Sequence, residues 1–140
     1  MNVKKLIIVP WDFSTHAEVA LEYTRQRYAD NDIIAICVLE PPNPYSPNLM
    51  RGPEADLQAI EKCRESFAEV VGLTDSNQIK FEILFGDPGY EIPCYANQLN
   101  TDYIVISTHG RTGLQRLMMG SVAQQVLAQA NCPVILLPAK

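Results

Sequence analysis

Three observations predict an α/β fold, a doubly wound parallel sheet with helices on both faces. Short runs rich in Ile, Val and Leu alternate along the chain with stretches of helical periodicity. Most of these runs are apolar throughout instead of alternating, as strands buried on both faces are. Polar residues gather just past two of them, at Asp12 and from Ser107 to Gly110, where ligands sit in open parallel sheets. Parallel neighbours also require crossover connections, which are nearly always right-handed, and the intervening helices supply them.

The elements follow in order. Leu6 to Val9 is the first strand, closed by Pro10, Trp11, Asp12, Phe13 and Ser14. Thr15 and Glu18 have capping-box spacing, and Ala17, Ala20, Leu21, Thr24 and Tyr28 recur at helical intervals until Asp30, Asn31 and Asp32 break the pattern. Ile33 to Leu39 is a second buried strand. The proline-rich connection from Glu40 to Pro47 cannot continue it and is expected to be mobile. From Glu54 to about Gly72, Leu57, Ile60, Arg64, Phe67 and Val71 mark one face of a second helix. Asp56, Glu61, Lys62, Glu65 and Glu69 form its solvated face. Ile79 to Phe85 partly alternates, which suits a strand at a sheet edge. Gly86, Asp87, Pro88 and Gly89 turn the chain into a third helix around Ile92, Ala96 and Leu99. Pro93 would delete a hydrogen bond if that helix began at Pro88, so its start is expected near Glu91. Asp102 to Ile106 is a fourth strand, Ser121 to about Ala130 a fourth helix, and Pro133 to Pro138 a fifth strand. No repeat or linker interrupts residues 1–140, which read as a single domain.

Composition narrows the function. With 47% hydrophobic and 19% charged residues, the chain has an ordinary globular balance. A net charge of -5 argues against a broad nucleic-acid footprint or an anionic membrane surface. Its longest apolar runs are under ten residues, and Met1 to Lys5 lead straight into a strand with no cleavage site, so a cytoplasmic address is expected. Cys37, Cys63, Cys94 and Cys132 lack the spacing of a zinc site or a disulfide framework and read as small hydrophobes in a reducing compartment.

The glycine-bearing stretch from Ser107 to Ser121 leaves a strand and opens a helix. Such a loop lets backbone N–H groups approach an anion closely, which points to phosphate holding. Gly120 and Ser121 place N–H groups and a hydroxyl at a helix N-terminus; Ser121 is equally an N-cap. Asp12 at a strand end can accept hydrogen bonds from the N–H or hydroxyl groups of a ligand, or it can cap the first helix. Arg111 stays charged and forks toward phosphate, or is a plain surface residue. His109 is a contact residue, because no carboxylate close in sequence orients it as a base. A P-loop, a Gly-x-Ser-x-Gly elbow, a His-Glu-x-x-His motif and a Gly-x-Gly-x-x-Gly after the first strand are all missing.

Pro10-Trp11-Asp12-Phe13-Ser14, Gly86-Asp87-Pro88 and the loop ending in Gly120-Ser121 together resemble the universal stress protein family, over essentially the whole chain. Nucleotide-binding members of that family carry Gly-x2-Gly-x9-Gly-[Ser/Thr]. This sequence reads Ser107-x2-Gly110-x9-Gly120-Ser121, with serine in the first glycine's place. If Ser107 has ordinary strand geometry its Cβ costs little and its hydroxyl can reach a ribose or phosphate, whereas a positive φ would strain it.

The resemblance implies an open, Rossmann-like five-stranded parallel sheet in the order 3-2-1-4-5. It also implies an adenine-nucleotide site formed by Pro10, Trp11, Asp12, Val38, Ile106, Ser107, His109, Gly110, Arg111, Gly120, Ser121 and Val122. In it Asp12 and Val38 would meet the adenosine part, and Gly110, Gly120, Ser121 and the Val122 backbone the phosphates. The implied ligand is ATP, ADP or AMP, with any Mg²⁺ bridging phosphates, since the sequence offers no metal site of its own. The implied assembly is a homodimer through Val134 to Leu137, an edge that Pro133 and Pro138 could instead blunt in a monomer. Two functions remain open: a nucleotide-binding stress-response regulator, at most a slow ATPase, or a nucleotide-free dimeric interaction protein acting through its surface.

Overall fold

The computed structural model describes residues 3–40, 53–72, 79–108 and 119–138. Nine elements alternate along it: β1 (Leu6–Pro10), α1 (Thr15–Arg27), β2 (Asp32–Leu39), α2 (Pro53–Val71), β3 (Ile79–Phe85), α3 (Pro88–Gln98), β4 (Tyr103–Ser107), α4 (Ser121–Gln129) and β5 (Val134–Leu137). The strands form one sheet in the order β3-β2-β1-β4-β5, and every pairing is parallel. β3 and β5 are its edges, as the partial alternation of β3 suggested.

Side-chain alternation divides the core into two layers. Ile7, Val9, Ala35, Cys37, Phe81 and Val105 point to the α1 and α2 face, together with Leu21 and Phe67 from those helices. Ile8, Ile34, Ile36, Ile104 and Ile106 point to the other face and meet Ile92 and Ala96 of α3 and Ala123 and Val126 of α4. The central strands β1 and β4 each bury three consecutive residues, which is why they read as uninterrupted apolar runs.

Helix ends differ from the sequence expectations in three places. The N-cap of α1 is Ser14, not Thr15: the Ser14 hydroxyl accepts the Ala17 N–H at 3.1 Å. Helix α3 starts at Pro88, a turn ahead of Glu91. Asp87 caps it by accepting the Tyr90 N–H at 3.2 Å, and Pro88 occupies the first turn, where a missing N–H costs nothing. The hydrogen bond that Pro93 forgoes is offset by full burial of its ring. The N-cap of α4 is Gly120, and Ser121 is the first helical residue.

Two apolar residues also face outward against expectation. Leu57 in α2 is 61% exposed, and Leu99 caps the end of α3 with much of its side chain in solvent. The inner stripe of α2 is carried by Phe67 and Val71, as expected, and by Cys63, whereas Arg64 is exposed; Glu61, Lys62, Glu65 and Glu69 are exposed as the charge pattern predicted. The side chain of Asp56 and the connection from Pro41 to Gly52 lie outside the described residues.

Candidate functional site

Strand order reverses between β1, which continues outward to β2 and β3, and β4, which continues to β5. The β1–β4 ladder pairs Ile7 with Tyr103 and Ile8 with Ile104 and stops there, before either strand ends. Beyond it the chain of β1 stays with β2: Pro10 pairs with Ile36, and the Trp11 N–H donates to the Ile36 carbonyl at 2.7 Å. On the other side Ser107 pairs with Leu137, and the Thr108 N–H donates to the Leu137 carbonyl at 2.9 Å. The two central strands are thus each held by an outer neighbour where they part, which opens a crevice at the switch point.

One wall is the β1–α1 turn. Asp12 is half-buried, and its Oδ1 accepts the Ser14 N–H at 3.0 Å and the Ser14 hydroxyl. This is an Asx turn, so the carboxylate orders the turn and Ser14, not Asp12, caps the helix. Phe13 between them has φ 62°, a left-handed conformation that non-glycine residues adopt at a cost. Its ring lies edge-on to Trp11, with centroids 5.7 Å apart. Trp11 itself is 2% exposed and packs edge-on to Phe67 at 5.2 Å. Its indole belongs to the core, and its Nε1 has no hydrogen-bond partner among the described residues. Val38 is half-buried on the opposite face, against the α3 and α4 layer.

The other wall is the end of β4 and the start of α4. Ser107 is a strand residue and does not have a positive φ, so the serine that departs from the family glycine carries no backbone strain. Ile106 is buried beneath it in the core. The Gly120 N–H donates to the Thr108 carbonyl at 2.5 Å, which brings the start of α4 against the end of β4. His109, Gly110 and Arg111 lie outside the described residues, as does the rest of the glycine loop to Met118.

The electrostatics of that helix start are distinctive. Helices α1 and α3 are closed by the side chains of Ser14 and Asp87 and carry Glu18 and Glu91 in their first turns. Helix α4 has neither a side-chain cap nor an acidic residue in its first turn. Its first N–H groups, from Ser121 and Val122 onward, have no intrahelical acceptor and present the positive end of the helix dipole. Ser121 is exposed and Val122 half-buried beside them.

The titrating groups near the crevice are few. Burial pushes the Cys37 thiol up to about 12, with Cys63 and the Asp12 carboxylate adding to the shift. Among the described residues no group of three His, Cys, Asp or Glu side chains could hold a metal ion, and no helix is long and apolar enough to cross a membrane. The sequence reading missed the neighbours Cys37 and Cys63 and the left-handed Phe13. Cys37 shares strand parity with Ala35, and Cys63 precedes Phe67 by four residues, so the first juxtaposition had a periodic signal.

The universal stress protein family model matches residues 4–138. The chain belongs to the universal stress protein family. A universal stress protein of Methanocaldococcus jannaschii, MJ0531, is 32% identical, the match covering 96% of this chain and 82% of that protein. The solved structure of the universal stress protein UspA from Lactobacillus plantarum superposes with a TM-score of 0.74 at 26% identity, covering 97% of this chain and 99% of that one. A more distant universal stress protein from Archaeoglobus fulgidus, solved in complex with dAMP, shares the fold with a TM-score of 0.60 at 22% identity over 97% of this chain and 98% of that one.

Proposed function

We propose that this universal stress protein binds an adenine nucleotide, ATP, ADP or AMP, across the β1–β4 crevice and acts as a stress-response regulator through nucleotide-dependent order in its loops. The observation that carries the reading is the uncapped N-terminus of α4, held against the end of β4 by the Gly120 to Thr108 hydrogen bond, at the one place where the strand order reverses. A phosphate there would meet the N–H groups of Ser121 and Val122 and the Ser121 hydroxyl. Asp12 and Val38 stand at the adenosine end, with Gly110 and Arg111 contributed by the glycine loop. The dAMP complex of the Archaeoglobus fulgidus relative supports an adenine nucleotide as the ligand class.

The reading assigns binding and no chemistry. Mg²⁺, where present, would be held mainly by phosphate oxygens. Titration calorimetry with ATP, ADP and AMP, each with and without Mg²⁺, tests it on ligand-free folded protein. Saturable heat is expected with at least one nucleotide, and Gly120→Asp, which sets a carboxylate at the helix start, should abolish it. Absence of heat with all three rejects the reading.

A second observation concerns assembly. β5 is an edge strand of four apolar residues, each half-buried, with β4 on one side only. We propose that Val134 to Leu137 pair with the same strand of a second copy in a two-fold dimer, which would cover both edges. This assembly also serves the alternative in which the chain works through its surface without a nucleotide. Sedimentation velocity at micromolar concentration should show a dimer, and a monomer would exclude it.

A further inference from the structure

Two of the four cysteines are brought together by the fold. In β2, Ile33, Ala35 and Cys37 alternate toward the layer under α1 and α2. Phe67 of α2 stacks on Phe81 with ring centroids 4.3 Å apart, and Phe81 pairs with Ala35 in the β2–β3 register. Cys63 lies one helical turn before Phe67, and α2 runs back against the strand direction between its two parallel strands. Four helical residues rise about 6 Å, nearly the advance of two strand residues. That step carries the contact from Ala35 to Cys37, whose β3 neighbour is Ile83. Cys63 packs, half-buried, against the cluster that contains Cys37, near enough to oppose ionisation of that thiol.

We propose that Cys37 and Cys63 are a modification site at which a hydroperoxide forms a disulfide, fastening the middle of α2 to β2 beside Asp12. Cys63 is the more accessible thiol and reacts first. Its sulfur attacks one oxygen of hydrogen peroxide, the O–O bond breaks, and Cys63 sulfenic acid and water result. The Cys37 sulfur then attacks the Cys63 sulfur, the S–O bond breaks, and the hydroxyl leaves as a second water with the Cys37 proton. Two thiols and one peroxide give one disulfide and two waters; the sulfurs lose the two electrons that the peroxide gains. The groups facing Cys37 are Cys63 and the Asp12 carboxylate, and both oppose its ionisation. Closure is therefore slow at neutral pH and accelerates with alkalinity.

The test uses full-length protein carrying Cys94→Ser and Cys132→Ser, which leaves only this pair and touches neither the crevice nor the core under α2. Hydrogen peroxide should remove two hydrogens from the intact monomer mass and abolish both free thiols, and a non-reducing peptide map should join the segments holding Cys37 and Cys63. The rate of closure should rise about tenfold per pH unit across the neutral to mildly alkaline range. Adding Cys37→Ser should prevent the mass loss and leave a Cys63 sulfenic acid that dimedone traps. Persistence of both thiols, overoxidation of Cys63 beside an intact Cys37 thiol, or only disulfide-linked dimers would overturn the proposal. None of these readouts depends on nucleotide binding.

Discussion

Asp12 Oδ1 accepts both the backbone N–H and the hydroxyl of Ser14, and the same Ser14 hydroxyl accepts the Ala17 N–H at the start of α1. One carboxylate therefore orders the turn whose serine caps the helix, and it holds Phe13 in its left-handed conformation. The residue proposed to meet the adenosine part has a structural duty that must be separated from any ligand duty.

Variants at this pair separate the two. Ser14→Ala should cost about 1 kcal/mol, the usual loss of an N-cap, with nucleotide affinity changed little. Asp12→Asn keeps the Oδ1 acceptor, so urea denaturation should show a loss below about 1 kcal/mol. If Asp12 also accepts from the adenosine part, the same variant should weaken nucleotide binding about tenfold or more by calorimetry. Equal, small effects of both substitutions on affinity would assign Asp12 to the turn alone.

The register of α2 can be tested at two positions. Phe67 stacks on Phe81 and meets Trp11 edge-on, so Phe67→Ala should cost about 3–5 kcal/mol in chemical denaturation. Leu57 has the same helical periodicity in sequence but faces solvent, and Leu57→Gln should stay within about 0.5 kcal/mol of the parent. A large loss at Leu57 would mean that the helix is rotated from the orientation described.

Those two residues also show what could be read in advance. Parallel pairing and the meeting of β1 and β4 at the crevice were legible because both strands are buried on both faces and end in polar residues, whereas the full strand order was implied by the family resemblance. An amphipathic helix leaves its first turns ambiguous, since an apolar side chain near its start can face solvent, and Leu57 does. The start of α3 was misplaced because the local cost of Pro93 was weighed without the burial of its ring, a tertiary gain that periodicity does not reveal. Likewise Asp12, Thr15 and Ser121 were the capping candidates, but the caps are Ser14 and Gly120, because only backbone conformation decides which residue stands at the cap.

Cys37 gives the stability a predictable alkaline limb. Its folded value of about 12 lies above the ordinary 9.0, so the thiol is neutral in both states at neutral pH and contributes no pH dependence there. As pH rises past 9.0 the unfolded chain releases the proton while the folded chain retains it, so stability falls until the folded thiol also ionises. Cys37→Ala removes this contribution. Urea midpoints measured from pH 8 to about 11 should decline less steeply in the variant than in the parent protein, although the variant starts lower because it opens a small cavity. Parallel declines would show that Cys37 ionises alike in both states.

Ser107 is the decisive position for the nucleotide reading, because it stands where the family's motif has glycine. It is extended strand backbone paired with Leu137, so no left-handed geometry demands a glycine there. Ser107→Gly should therefore relieve no strain and should lower stability by about 0.5–1 kcal/mol, the ordinary penalty for glycine in a strand. If the serine side chain leaves room for the ligand, calorimetry on the variant should give nucleotide affinity within about threefold of the parent, a difference under about 0.7 kcal/mol. A gain of tenfold or more would show that the Cβ and hydroxyl obstruct the crevice, and would favour the alternative in which the protein works through its surface without a nucleotide.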